Sequence, residues 1–323
     1  MTGLTAALMS VYGAALGAPA VEVVDGSNSS AMIPYVLPAR TDYSLEKVTV
    51  NVGGFATGTN TAVASTSATS LVNVTAGGNL TLDGATIDWT GGDSNNSNSA
   101  LRVGGGGQAS LTGGTISTSG GIRKIGMSAI DGGVINASNL TITTSGNSSA
   151  GVQAFRTYSN PTAGDTPTLV NLDSVNIFTG GSSYSVGIRA DHKGAGVVGN
   201  NVNITTSAAG SYGVEVNNGA TVALTGGSIT TAGDYAGGVR AYTGTGAKGL
   251  LGAGKATVNG TVIETSGNYA SGLIAGDAAE PTSGLIDAVN ASITTKGNYA
   301  AALESAYGST VTSQKGTLRT EGF

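Results

Sequence analysis

The sequence predicts an all-β chain: a right-handed, single-stranded parallel β-helix, or β-solenoid, with three short strands in each coil of about 25–30 residues. Three observations predict it. A phrase of the form apolar-x-Thr-x-Gly returns down the chain. Two further short apolar segments return with it in each unit. Finally, 54 glycines among 323 residues, with 10% of residues charged, describe a chain of many tight corners, because Gly takes left-handed backbone without steric penalty.

Composition excludes several classes. With no Cys there is no disulfide framework and no Cys-based metal site. A formal net charge of −5 excludes a strongly basic nucleic-acid binder. The glycines show no triplet period, so the chain is not collagen-like. Low charge with 39% hydrophobic residues excludes a charge-rich disordered segment.

In chain order, residues 1–20 read as an incomplete signal peptide. Leu4 to Leu16 form a short apolar stretch and Ala18-Pro19-Ala20 is a small-residue cleavage pattern, but no Lys or Arg precedes Arg40. Residues 21–75 are less regular, although Val48-Thr49-Val50-Asn51-Val52 already alternates; they are expected to form an N-terminal cap and the first irregular coils. Residues 76–323 carry the repeats, which break off mid-repeat at Phe323.

The repeats are anchored on Ile87, Ile116, Ile142, Ile177, Ile204, Ile229, Ile263, Ile293 and Leu318, 25 to 35 residues apart. Clear copies are Thr141-Ile142-Thr143-Thr144-Ser145-Gly146-Asn147 and Ser292-Ile293-Thr294-Thr295-Lys296-Gly297-Asn298-Tyr299. Ten or eleven residues after the anchor comes Gly-apolar-x-Ala, as in Gly187-Ile188-Arg189-Ala190 and Gly238-Val239-Arg240-Ala241. Before the next anchor comes an alternating segment such as Val170-Asn171-Leu172 or Val222-Ala223-Leu224. Period-two segments rich in Val, Ile and Thr, punctuated by Gly, Asn, Ser and Asp, are strands.

One coil cannot bury its own inward side chains, so stacking is expected to align equivalent residues. Ile204, Ile229, Ile263 and Ile293 form one expected interior ladder; Val214, Val239, Leu273 and Leu303 form a second. Tyr235, Tyr269 and Tyr299 are expected to stack at a corner, with Asn147, Asp234, Asn268 and Asn298 supplying the left-handed turn residue. Trp89, two residues past Ile87, is expected to point inward. Pro- and Gly-containing insertions are placed at 157–168, 243–255 and 276–284.

Chemistry is sparse. Asp83, Asp88, Asp131, Asp165 and Asp173 occupy no shared repeat position, and Asp173 has no evident partner. Asp191-His192-Lys193, with Arg189 just before it, is the one dense polar cluster; it is read as a solvated turn rather than as a catalytic or sulfate-binding patch. A single His cannot build a His-rich metal site. Gly104–Gly107 lacks the Lys-Ser or Lys-Thr of a phosphate loop, and no Gly-x-Ser-x-Gly elbow stands out. The expectation is therefore no catalytic residue, no metal and no cofactor.

The segments SITTAGDYAGGVRAYTG and GATVALTGGSITT resemble the passenger domains of monomeric, pertactin-like autotransporters, over roughly residues 50–323. The resemblance implies a surface-exposed or secreted passenger of a Gram-negative bacterium, associated with the outer membrane and exported by a C-terminal translocator barrel that this chain does not carry. It implies a non-enzymatic adhesin, cell-aggregation or virulence factor. Its expected partners are host-cell or neighbouring bacterial surface molecules, with self-association through solenoid faces. The alternatives are a polysaccharide-active β-helix enzyme, either a lyase or a tailspike-like depolymerase, and a purely structural stalk.

Overall fold

A computed structural model describes residues 22–24, 35–37, 50–65, 70–90, 98–157, 166–244, 252–276 and 283–323. The signal-like stretch and the centres of the three insertions lie outside the described residues. Within them the chain is a parallel β-solenoid of about nine turns of about 27 residues, with no helix. Three parallel sheets run its length.

A single coil shows the pattern. Tyr212–Asn217 belongs to the first sheet, Thr221–Thr225 to the second and Ser228–Thr231 to the third. The next coil repeats it with Gly237–Tyr242, Gly254–Asn259 and Val262–Thr265. Thus the Gly-apolar-x-Ala segments build the first sheet, the alternating segments the second, and the Ile anchors the third. Strands within the expected N-terminal cap join the same sheets: Glu22–Val24 pairs with Val50–Val52, and Tyr35–Leu37 with Phe55–Thr59. The last coil contributes Leu303–Ser305, Thr310–Gln314 and Thr317–Thr320, one strand to each sheet.

Register is set by the core. Ile204, Ile229, Ile263 and Ile293 pair in sequence and are fully buried. Burying each such side chain contributes about 1.5–3 kcal/mol, so a one-residue slip, which would turn every Ile outward, is strongly disfavoured. Val214, Val239 and Leu273 form the second ladder, continued by a half-buried Leu303 in the last coil. Trp89 points inward and is fully buried, with Lys124 Nζ 3.4 Å from its ring centroid in a cation–π contact.

The Thr of each anchor also faces inward. Thr118, Thr144, Thr179, Thr206, Thr231, Thr265 and Thr295 are all buried in one row. In the later coils this hydroxyl donates to the carbonyl five residues on, Thr265 to Ala270 and Thr295 to Ala300. At Thr118, Thr144, Thr179, Thr206 and Thr231 the hydroxyl meets no partner among the described residues.

Candidate functional site

The outer face of the first sheet holds the densest group of polar side chains. Arg189, Glu215 and Arg240 occupy one register position in successive coils, the x of Gly-apolar-x-Ala. Asp191, Asn217 and Tyr242 occupy the position two residues on. Parallel pairing holds such rows close together, so the side chains reach one another across coils.

Glu215 is the centre. It is 7% exposed, with Arg189 Nη2 at 3.2 Å from Oε2 and the Tyr242 hydroxyl donating to Oε1 at 2.6 Å. Burial works against its charge, but Arg189, the Tyr242 hydroxyl and Arg240 outweigh it and hold the carboxyl below its ordinary value. Burial, together with the Glu215 charge, pushes the Tyr242 phenol far up. The Glu215 charge raises Arg189 against its own desolvation. Arg240 packs over the Tyr242 ring, 4.3 Å from its centroid, and over Tyr212 at 5.1 Å.

Asp191 is held differently. Burial raises its carboxyl above the ordinary range, opposed by the Asn218 amide at 2.9 Å, by His192 and by Arg189. His192 Nδ1 lies 2.7 Å from Asp191 Oδ1, and its ring meets Phe155 edge-on at 5.4 Å. Asn217 lies between the two halves of the cluster, its amide bridging the Tyr242 hydroxyl at 3.1 Å and the Asp191 carboxylate, to which the amide nitrogen donates.

The Asp191-His192-Lys193 segment is therefore a turn, with His192 at φ 74° and Ala195 N–H donating to the His192 carbonyl, but only Lys193 is the solvated side chain expected there. The side chains of Asp191 and His192 are 19% and 22% exposed, drawn in by Asn218 and Phe155.

The isolated aspartates also find partners. Asp83 and Asp173 share one row of the second sheet, through Thr112 and Ser138, contrary to expectation. Asn200 donates to Asp173 at 2.8 Å and Ser117 to Asp88 at 2.7 Å, while Asp131 accepts from the backbone and hydroxyl of Thr157. Asp165 lies outside the described residues. Among the described residues no group of three His, Cys, Asp or Glu is placed to hold a metal ion.

A second feature runs along the corner between the third and first sheets. Tyr235, Tyr269 and Tyr299 stack in succession, with ring centroids 5.0 Å apart. They are 62%, 48% and 73% exposed, and Tyr184 on the same corner is 65% exposed. The left-handed residues here are the tyrosines themselves, at φ 57°, 56° and 57°, not the preceding Asn or Asp as expected. The reason is that those side chains act as caps: Asp234 Oδ1 accepts from Asn268 N, Asn268 Oδ1 from Asn298 N, and Asn298 Oδ1 from Phe323 N.

Compared with known proteins, the chain matches no family model, no curated protein and no solved structure. The site rests on its own geometry.

Proposed function

We propose that this chain is a surface-displayed, non-enzymatic solenoid that adheres to other surfaces, as passengers of the autotransporter kind do. The observation that carries this reading is the tyrosine corner. A large side chain in left-handed backbone costs about 1–2 kcal/mol relative to the ordinary regions, and the turn itself is satisfied by Gly in another coil, Gly210 at φ 64°. Stacking of the rings, worth about 0.5–1.5 kcal/mol per pair, offsets part of that cost, but it gives no reason for the rings to stay exposed in three successive coils. Contact with a partner does, because tyrosine supplies large amphipathic contact area with little rotamer entropy to lose. The uncharged run Thr81, Ser110, Asn136 and Asn171 along the second sheet favours the same reading, since it adds hydrogen-bonding area without like-charge repulsion.

The test is display on the outer surface of a non-adherent bacterium behind a translocator barrel. The expected result is clumping or retention on host-cell layers above that of the barrel alone. The absence of both effects would overturn the reading.

A second reading is a polysaccharide-active enzyme. Its support is the pairing of an ionised Glu215 with an Asp191 whose carboxyl is raised, beside Arg189 and His192, since divergent environments for two carboxyls suit acid and base roles. New reducing ends or unsaturated products from polysaccharide incubated with the purified chain, lost in Glu215→Gln, would favour it over adhesion.

A further inference from the structure

Ten of the 23 asparagines are followed two residues on by Ser or Thr, the pattern by which transferases join a sugar to an Asn amide. Eight of the ten lie among the described residues. Strand alternation alone produces such stretches, because outward polar residues recur at every second position. An acceptor needs more: an amide and a hydroxyl that the fold does not already use, on backbone that stands clear of its neighbours.

Six of the eight fail on this. Asn73 gives its amide to the Ser70 carbonyl and Thr75 its hydroxyl to that of Val52. Asn147 accepts from the Ser182 N–H, and Ser149 is fully buried. Asn203 is used at both ends, donating to Asn176 and accepting from Ser228. Thr261, two residues past Asn259, is buried and donates to the Gly226 carbonyl. Asn136 is tied to Asn171 at 2.9 Å in the middle of the second sheet. Asn290 donates to Asn259, and Ser292 accepts from Thr317.

Two remain. Asn79 is half-buried in a strand of the second sheet, between Phe55 and Gln108 of the flanking coils. Asn139 is exposed, and among the described residues neither its amide nor the Thr141 hydroxyl makes a hydrogen bond. It sits at the corner from the second sheet to the third, in left-handed backbone at φ 53°, with its N–H donating to the Asp173 carbonyl. Leu140, 1% exposed, pins the corner, and Thr141 opens the next strand facing outward.

The flanking coils leave room. The residues equivalent to Asn139 are Gly113 before it and Ser174 after it, left-handed as well and bonded to the next coil in the same way. A β-carbon on Gly113 would meet nothing closer than 3.9 Å, so the corner is open on that side. Asn201, at the same corner, leans over the following coil, its Oδ1 2.5 Å from where a β-carbon on Gly226 would stand. Ser174 fills that place after Asn139, so the same lean is closed to it.

We propose that Asn139 is an acceptor for an N-linked sugar. The donor is a sugar activated by a pyrophosphate leaving group. Asn139 Nδ2 attacks the anomeric carbon, the bond from that carbon to the pyrophosphate oxygen breaks with its electron pair, and a proton of Nδ2 passes to a base of the transferase. The Thr141 hydroxyl is the group by which the transferase recognises the acceptor. The inference does not rest on the adhesive reading, and the third sheet separates this corner from the tyrosines.

The test is peptide mapping by mass spectrometry, in two arms. Chain isolated from the cells that make it is expected to carry a sugar on Asn139. A single hexose there points to a nucleotide-linked donor, a preassembled oligosaccharide to a lipid-linked one. In the second arm the purified, folded full chain is incubated with a soluble Asn-glycosyltransferase and UDP-glucose. Asn139 is expected to be occupied severalfold more than Asn147 or Asn203, and that preference is expected to vanish when the transferase is given peptides spanning the same three sites. Thr141→Val, which keeps Asn139 and a β-branched strand residue, is expected to abolish occupancy in both arms, and Thr141→Ser to retain it. Each variant's thermal midpoint confirms that it folds.

An unmodified Asn139 in the natural chain overturns the proposal, as does undiminished occupancy in a folded Thr141→Val chain. Equal occupancy of Asn139 and Asn203 in the folded chain overturns the geometric selection that carries it. None of these results bears on cell adhesion, so the display experiment judges the adhesive reading separately.

Discussion

Ile229 Cγ2 occupies the space that a β-carbon on Gly213 would need; the two would stand 2.2 Å apart. The relationship recurs in Gly151 with Ile177 at 2.3 Å, Gly187 with Ile204 at 2.3 Å, Gly238 with Ile263 at 2.5 Å and Gly272 with Ile293 at 2.4 Å. The Gly of the first sheet and the Ile of the third are thus one interlocking unit in each coil, and the two sequence motifs have a common cause.

Gly213→Ala is therefore expected to destabilise the chain by about 1–3 kcal/mol, the range for overpacking a filled core. The Gly238 carbonyl, 2.7 Å from the same added carbon, prevents an easy shift. In a double-mutant cycle measured by urea denaturation, Gly213→Ala and Ile229→Ala should be less than additive, since removing the Ile methyl makes room for the new one. Strict additivity would show that the two residues do not share this space.

The threonine row separates into two kinds. Thr206, buried with no hydroxyl partner among the described residues, should accept Val with a gain of about 1 kcal/mol, because a desolvated unpaired hydroxyl costs more than it returns. Thr265, which donates to the Ala270 carbonyl, should lose about as much on the same change. Chemical denaturation of both variants measures the difference, and an equal response in the two would contradict it.

Acid should weaken the fold through Glu215. Its folded carboxyl titrates below the ordinary value of 4.5, so its contribution is complete above that value and is lost as the pH falls through the folded one. Asp191 acts in the opposite sense: its raised carboxyl costs stability once the pH exceeds the ordinary value of 3.8. Melting against pH is expected to show a shallower acid decline in Glu215→Gln and a higher midpoint at neutral pH in Asp191→Asn. Arg189→Met should cost up to about 3 kcal/mol at neutral pH by stranding the buried Glu215 charge, the low end for such pairs because Arg189 is 29% exposed.

The scaffold was legible in the sequence because inward residues obey a strict period. Ile204, Ile229 and Ile263 identify themselves by type, and their register follows from what they must bury. Outward residues carry no such constraint. Arg189, Glu215 and Arg240 sit at one repeat position, yet their alternating charge hides the row until the coils are superimposed. Aligning the motif copies Gly187-Ile188-Arg189-Ala190, Gly213-Val214-Glu215-Val216 and Gly238-Val239-Arg240-Ala241 is the signal that finds it. Tyr242 and Asn218 join only through side-chain length, which periodicity does not encode. The left-handed tyrosines were misplaced by one residue because Asn is the usual occupant of such backbone, and here its side chain is used to cap the next coil.

The adhesive account stands most directly on the tyrosine ridge, and one measurement addresses it. Beads coated with the purified chain are compared with beads coated with the triple variant Tyr235→Asn, Tyr269→Asn and Tyr299→Asn, for retention on host-cell and bacterial layers under flow. Asn tolerates left-handed backbone, so the variant's melting midpoint should match or exceed that of the parent. The account predicts a severalfold loss of bead retention with no loss of stability; unchanged retention by the folded variant would contradict it.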